Sequence, residues 1–332
     1  MDRIARGPAA DRRDLFSETA SDLGMNPVIV EKDFWVCWIL KRLFADPQLK
    51  DQIIFKGGTS LSKVYGLIDR FSEDIDLILD WRLLGYGLSQ GSDPYQNLPS
   101  KTQRSRYNRE MNARAAEYIR EKLLAQLNRL LASTPGIIVS VDESDPHTVN
   151  VRYPASFAVA YIRPEVRLEI GPLASWVSEQ HTIQPYAAEK FPQAFEETTC
   201  AVMAIRAERT FWEKATILHQ EAHRPGTVPS RYSRHYYDFY KMACSKIKDT
   251  ALSDLALLKN VVEFKELFYA SSWARYDLAV PGSFRLSPPP AQVSALARDY
   301  KEMREMFFRE PPDFATILAA LPMLEEQINS LK

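Results

Sequence analysis

Cysteine is scarce in this chain. Its three cysteines, Cys37, Cys200 and Cys244, stand far apart and match neither a zinc-ligand spacing nor a disulfide framework. They read as buried or incidental thiols in a reducing cytoplasm. The segment Met1-Asp2-Arg3-Ile4-Ala5-Arg6-Gly7 has no apolar signal region, and no apolar run is long enough to span a bilayer. A cytoplasmic protein without a membrane partner is therefore expected. Charge of one sign is also missing: 42 Lys and Arg against 43 Asp and Glu leave a net charge of -1. Any nucleic-acid binding must then rest on local patches. Internal repeats and low-complexity tracts are absent.

What is there is ordinary globular material. The chain has 332 residues, 45% of them apolar and 26% charged, enough for one large domain or two medium ones. Apolar spacing predicts helix over residues 12–46, with Asn26-Pro27 as a start inside it. A strand at Gln52–Phe55, a short helix carrying Leu61, Val64, Tyr65 and Ile68, and a strand at Ile75–Leu79 follow. Residues 83–100, rich in Gly, Ser, Asn and Pro, read as an exposed loop, and 102–134 as a long basic helix. Four β-like segments come next: Ile137–Val141, Thr148–Tyr153, Phe157–Ile162 and Val166–Ile170. From about residue 205 the chain reads as helical, with breaks at 224–230 and at Ser287-Pro288-Pro289-Pro290. The fold class is α+β. The expected division is a sheet domain over 1–200 and a helical domain over 201–332 that completes the active-site cleft.

The chemistry concentrates between Phe55 and Leu77. In Lys56-Gly57-Gly58-Thr59-Ser60, two glycines remove side chains so that main-chain N–H groups can approach an anion, and a helix N-terminus follows. Thr59 and Ser60 add hydroxyls. Asp74 and Asp76 lie two apart, so on a strand both carboxylates leave the same face. Crowded like charges call for a cation between them, and Mg2+ (or Mn2+) pairs of this kind serve in-line displacement at phosphorus. A glycine pair alone is usually a tight turn, and Asp-x-Asp alone a solvated strand end. In this order, flanked by strands, they make a phosphoryl- or nucleotidyl-transfer motif. A Walker A loop is excluded because its terminal Gly-Lys-Ser/Thr is missing.

These residues carry a family resemblance. Phe55-Lys56-Gly57-Gly58-Thr59-Ser60-Leu61-Ser62-Lys63 followed by Arg70-Phe71-Ser72-Glu73-Asp74-Ile75-Asp76-Leu77 resembles the AbiEii/AbiGii toxin family, nucleotidyltransferases of the DNA polymerase β superfamily. The upstream run Glu31-Lys32-Asp33-Phe34-Trp35-Val36 resembles a segment found before that motif. The likeness is strong over 28–80, weaker over 160–245, and not evident in the last 80 or so residues. It implies a polymerase β-like mixed sheet with flanking helices, followed by a helical C-terminal part. It also implies a nucleotide-binding set of Lys56, Gly57, Gly58, Thr59, Ser60, Ser72 and Lys214. The metal ligands would be Asp74 and Asp76, with Glu169 as third carboxylate and base. Glu165, Arg167 and Glu169 alternate on one strand face, so Glu169 is equally readable as an exposed glutamate paired with Arg167. Lys214 and Asp238 match the family's later lysine and aspartate; Lys214 would neutralise a triphosphate, and Asp238 would fix Lys214 or contact the nucleotide. His219 and His223, four apart on a helix, lack a third ligand and read as a solvated face.

Two segments are locally basic. Lys101–Arg129 holds eight basic residues against three acids. Arg224–Lys248 holds six against Asp238 alone, interleaved with Tyr232, Tyr236, Tyr237 and Tyr240. Basic residues beside aromatics suit a single-stranded RNA end; a charged helix face with its aromatics in the core suits the pattern as well. The resemblance implies a toxin paired with a cognate antitoxin, transferring a nucleotide from an NTP to RNA, specifically the tRNA acceptor end, and so stopping translation. The alternatives are nucleotidylation of a protein hydroxyl and a nucleotide-binding module that has lost catalysis; intact Asp74 and Asp76 argue against the latter.

Overall fold

The computed structural model describes residues 1–72, 74–86, 100–157, 163–172 and 178–331. Three helices open the chain: α1 (Asp2–Arg6), α2 (Ala9–Leu23) and α3 (Pro27–Ala45). The helical stretch expected over 12–46 is thus two helices, the second starting at the expected Asn26-Pro27. Gly24 takes a left-handed conformation (φ 64°) that ends α2, and the Asn26 side chain accepts a hydrogen bond from the Val28 N–H at 3.0 Å to start α3, with Pro27 first. α3 is buried on nearly every side, and Phe34, Trp35, Trp38 and Leu40 anchor it in the core.

Among the described residues, seven strands form one mixed sheet in the order β3-β4-β5-β2-β1-β7-β6. They are β1 (Ile53–Lys56), β2 (Asp74–Leu79), β3 (Ile138–Val141), β4 (Thr148–Arg152), β5 (Glu165–Gly171), β6 (Ser178–Ile183) and β7 (Cys200–Ile205). β1 pairs antiparallel with β2 and parallel with β7, and β2 pairs parallel with β5. Between β1 and β2 lies the short α4 (Gly57–Lys63), which begins at the glycines and ends before the predicted Val64, Tyr65 and Ile68. The predicted long helix is α5 (Lys101–Tyr118) and α6 (Leu124–Leu131), joined through a wider π turn at Ile119–Leu123. Most of the predicted loop 83–100 and of the predicted strand Phe157–Ile162 falls outside the described residues. β6 and β7 had no counterpart in the sequence reading.

α7 (Tyr186–Lys190) lies between β6 and β7. After β7 the chain is helical: α8 (Ala207–Ala222), α9 (Ser233–Ala243), α10 (Ile247–Leu252), α11 (Leu255–Phe268), α12 (Pro290–Glu302) and α13 (Phe314–Asn329). The described residues fall into two compact units. One lies within Met1–Val64, Phe71–Asn97 and Ser105–Ile205; the other lies within Tyr65–Arg70, Leu98–Arg104 and Arg206–Lys332. Among the described residues no helix is long and apolar enough to cross a membrane.

Candidate active site

Strand register builds the first unit's site. Asp76 on β2 stands opposite Lys56 on β1 and Glu169 on β5, and Glu169 stands opposite Thr148 on β4. One row across four strands therefore reads Thr148, Glu169, Asp76, Lys56. The next row reads Asn150, Arg167, Asp74. Registered neighbours in a sheet share a face, so Asp74, Asp76 and Glu169 lie on one surface with Lys56 and Arg167. The opposite face of the same strands carries buried Ile75, Leu77, Val166 and Leu168. Alternation thus spends the apolar residues on the core and leaves the carboxylates at the surface.

Arg167 sits among the acids. Its Nε is 3.9 Å from Asp74 Oδ1 and 3.9 Å from Glu169 Oε1, and its Nη1 is 3.5 Å from Asp142 Oδ2. The Asp142 carboxyl is held well below its usual range, first by the Ser144 and Asn150 side chains. Among the described residues no three His, Cys, Asp or Glu side chains are drawn together as a closed metal-binding group. The donors that are present are hard carboxylate oxygens on one face, the type that suits Mg2+ or Mn2+. Asp74 and Asp76 would hold such a cation, with Glu169 beside Asp76.

Gly57 shows why this turn needs glycine. Its φ is +82°, and a Cβ built on it would stand 1.8 Å from Asp76 Oδ2. The Asp76 carboxylate occupies the space where any side chain at 57 would go. The two hydroxyls that follow point inward. Thr59 Oγ1, almost fully buried, donates to the Asp74 carbonyl at 2.5 Å with the Ser72 carbonyl 3.2 Å away, and Ser60 Oγ donates to the Gly57 carbonyl at 2.8 Å. A hydroxyl has one proton to give, so Thr59 and Ser60 shape the turn and tie it to the start of β2. Ser72 takes part through its main-chain carbonyl.

The upstream Glu31-Lys32-Asp33 run has a structural reason. Asp33 Oδ1 and Lys63 Nζ form an ion pair at 2.7 Å with both side chains 4% exposed. Asp33 Oδ2 accepts from the Tyr186 N–H at 2.8 Å, and Lys63 Nζ lies 3.9 Å from the centre of the Tyr186 ring. Burial still pushes the Asp33 carboxyl above its ordinary value. Glu31 accepts from the Ser156 N–H at 2.6 Å. The last residue of α4 is thus bolted to α3, a link that spacing along the sequence does not reveal.

In the second unit, Asp238 is fully buried and accepts from three donors. Arg70 presents a fork, Nε to Oδ1 at 2.7 Å and Nη2 to Oδ2 at 2.8 Å, and Lys214 Nζ donates to Oδ2 at 2.7 Å. Lys214 Nζ also lies 3.2 Å from His235 Nδ1. Burial alone would raise the Asp238 carboxyl, but Arg70 and Lys214 hold it well below the carboxylate range. Burial lowers the Lys214 ammonium, with Asp238 opposing, and burial with Lys214 and Arg234 pushes His235 far down. Of the two roles open to Asp238, its contacts are those of a residue that fixes Lys214. Arg70 was missed as a partner because nothing in a linear reading joins residue 70 to residue 238.

Two surface readings are corrected. His219 is buried, not solvated. Its Nε2 donates to the Arg275 carbonyl at 2.9 Å, its Nδ1 accepts from the Arg285 N–H at 3.0 Å, and burial lowers its pKa to about 4. In α9, Tyr236 and Tyr237 are 0% and 1% exposed, so they are core residues and not stacking platforms for bases. Lys241 is paired with Asp69 at 2.8 Å, and Arg224 with Glu221. The helix alternates cations outward and rings inward, as an amphipathic helix does.

Comparison with known proteins identifies the class. The family model described as nucleotidyl transferase AbiEii toxin, type IV toxin–antitoxin system, matches residues 38–320. The chain belongs to this family and is a nucleotidyltransferase toxin, which implies a nucleotide substrate and an antitoxin partner. Among solved structures it is similar to MenT4, a nucleotidyltransferase toxin from Mycobacterium tuberculosis H37Rv, at 17% identity and TM-score 0.44, covering 98% of this chain and 99% of that one. It is also similar to a protein from H. pylori assigned as a nucleotidyltransferase, at 16% identity and TM-score 0.38, covering 91% of this chain and 99% of that one. No curated protein is similar in sequence.

Proposed function

We propose that this toxin transfers a nucleotide from an NTP to RNA, at the acceptor end of tRNA, and that the modification stops translation in the cytoplasm. The observation that carries the reading is the row of Lys56, Asp76 and Glu169, with Gly57 pressed against Asp76. Glycine there lets main-chain N–H groups reach phosphate oxygens beside a carboxylate pair. Bound Mg2+ would lower the charge on the α-phosphate and favour ionisation of the attacking hydroxyl. Asp74 and Asp76 would hold that cation, and Glu169 would accept the hydroxyl proton. The acceptor oxygen forms a bond to the α-phosphorus, and the bond to the bridging oxygen breaks, releasing pyrophosphate. Gly57 and Gly58 offer N–H groups and Lys56 offsets phosphate charge; in the second unit, Asp238 with Arg70 keeps Lys214 in place. Thr59, Ser60 and Ser72 keep the turn in its shape.

Incubation of the protein with Mg2+, total cell RNA and each NTP labelled at the α-phosphate tests the reading. Label in tRNA is expected. Label in protein alone would replace RNA by a protein hydroxyl as acceptor, and no label would leave nucleotide binding without transfer.

A further inference from the structure

A cavity of about 210 Å³ opens beside the carboxylate row, wholly within the sheet unit. Lys56, Asp76 and Glu169 form one wall, the end of β5 at Gly171 with Pro172 another, and Asn112 of α5 with Asp145 and His147 of the β3–β4 turn the third.

Its position along the sheet has a direction. From Lys56, opposite Asp76, β1 leads into Gly57 and Gly58 toward the Asp74 end of β2. The cavity runs the other way, from Glu169 to Pro172. Asp76 therefore stands between the glycine turn and the cavity. In-line displacement places the leaving pyrophosphate and the attacking hydroxyl on opposite sides of the reacting phosphorus. With the phosphates at the glycine turn, the attacking group belongs on the cavity side.

The cavity wall is built for a polar guest. His147 Nε2 donates to the Asn112 main-chain carbonyl at 3.0 Å, and Asp145 Oδ1 accepts from the His147 N–H at 3.0 Å, which fixes α5 against the turn. The Asn112 side-chain amide makes no hydrogen bond among the described residues. It offers both a donor and an acceptor, the pairing that reads a base edge or two ribose hydroxyls.

We propose that this cavity receives the terminal nucleoside of the RNA acceptor, with Asn112 as its binding residue and His147 positioning Asn112. The proposal rests on the nucleotidyl-transfer reading and adds where the acceptor sits. A free terminal hydroxyl enters beside Asp76 and Glu169, whereas a terminal phosphate would bring its charge against the carboxylates of Asp76, Asp145 and Glu169.

The test uses the full-length protein and a short fluorescent oligoribonucleotide ending in either a 3′-hydroxyl or a 3′-phosphate. Binding is followed by anisotropy, and NTP use by pyrophosphate release. Wild type is expected to bind the 3′-hydroxyl form about tenfold more tightly than the 3′-phosphate form. Asn112→Ala is expected to lose about five- to tenfold in affinity for the 3′-hydroxyl form, with KM for NTP changed less than about twofold. Asn112→Asp, nearly the same size, is expected to lose more because it adds a fourth carboxylate to Asp76, Asp145 and Glu169. Undiminished RNA binding in both variants, while wild type still labels RNA, overturns the cavity assignment alone. A rise in KM for NTP with RNA affinity unchanged gives the cavity to the incoming nucleotide and also overturns it. Label in protein and none in RNA overturns both the cavity assignment and the acceptor reading.

Discussion

Gly57 and Asp76 touch so closely that a methyl group on Gly57 would lie 1.8 Å from the Asp76 carboxylate oxygen. Backbone and side chain thus share one volume, and the identity of residue 57 sets where the carboxylate stands. Gly57→Ala meets both this clash and a left-handed φ of +82°. Transfer is expected to fall by at least about a hundredfold, measured as label incorporated per minute. Gly66→Ala is the control. It has φ +60° but nothing within 4 Å, so it carries only the backbone penalty of about 1 kcal/mol and leaves transfer near wild type.

The Asp238 cluster should behave as a buried triad. Asp238→Asn leaves Arg70 and Lys214 facing one another without their shared carboxylate. Removing one partner of such a buried arrangement costs about 3–5 kcal/mol. Urea unfolding is expected to show a larger loss for Asp238→Asn than for Lys214→Met, and Arg70→Lys should be intermediate because an ammonium cannot reproduce the two-toothed fork. Equal stability of wild type and Asp238→Asn would contradict the arrangement.

Lys63 and Asp33 give a parallel case in the sheet unit. Lys63→Met strands a buried carboxylate 4% exposed, with an expected cost of about 3–5 kcal/mol, read as the shift in urea midpoint. The double change Lys63→Met with Asp33→Leu should recover much of that loss, because neither charge is then left unpaired. A double variant no more stable than the single one would show that the pair matters for more than charge balance.

His219 predicts a pH dependence. Its folded pKa of about 4 lies below the unfolded value of about 6.5. The unfolded chain therefore binds the proton first as pH falls, so the stability from neutral His219 is fully present above about pH 6.5. It is lost as pH drops toward 4, by about 3 kcal/mol in total. His219→Gln should flatten the fall of the urea midpoint between those pH values. A slope identical to wild type would show that His219 does not titrate with unfolding.

The linear order of strand, glycine pair, helix, strand and carboxylates was readable because each element is announced locally. β1 and β2 are short apolar runs bounded by polar residues, and Asn26-Pro27 starts a helix by capping chemistry that needs no tertiary partner. β6 was not readable: Ser178-Glu179-Gln180-His181-Thr182-Ile183 is polar because it lies at the sheet edge. β7 was not readable either, since Cys200-Ala201-Val202-Met203-Ala204-Ile205 lacks alternation. The π turn at Ile119–Leu123 keeps the helical spacing almost unchanged and so left no trace. Contacts across long separations were invisible for a different reason. Arg70 to Asp238 and Asp33 to Lys63 are pairings of ordinary charged residues, and only the fold selects which charges meet. The stripe of tyrosines in α9 was ambiguous because core and base-stacking aromatics share the same spacing.

Asp74 and Asp76 are proposed to hold the catalytic cation together, on the face they share with Glu169. The rate of α-phosphate label transfer to RNA in Mg2+ by Asp76→Asn, set against its thermal melting, tests it most directly. Transfer is expected to fall by at least about a hundredfold while the melting temperature stays within about 3 °C of wild type. An Asp76→Asn protein that melts as wild type does and transfers label at more than about half the wild-type rate would contradict it.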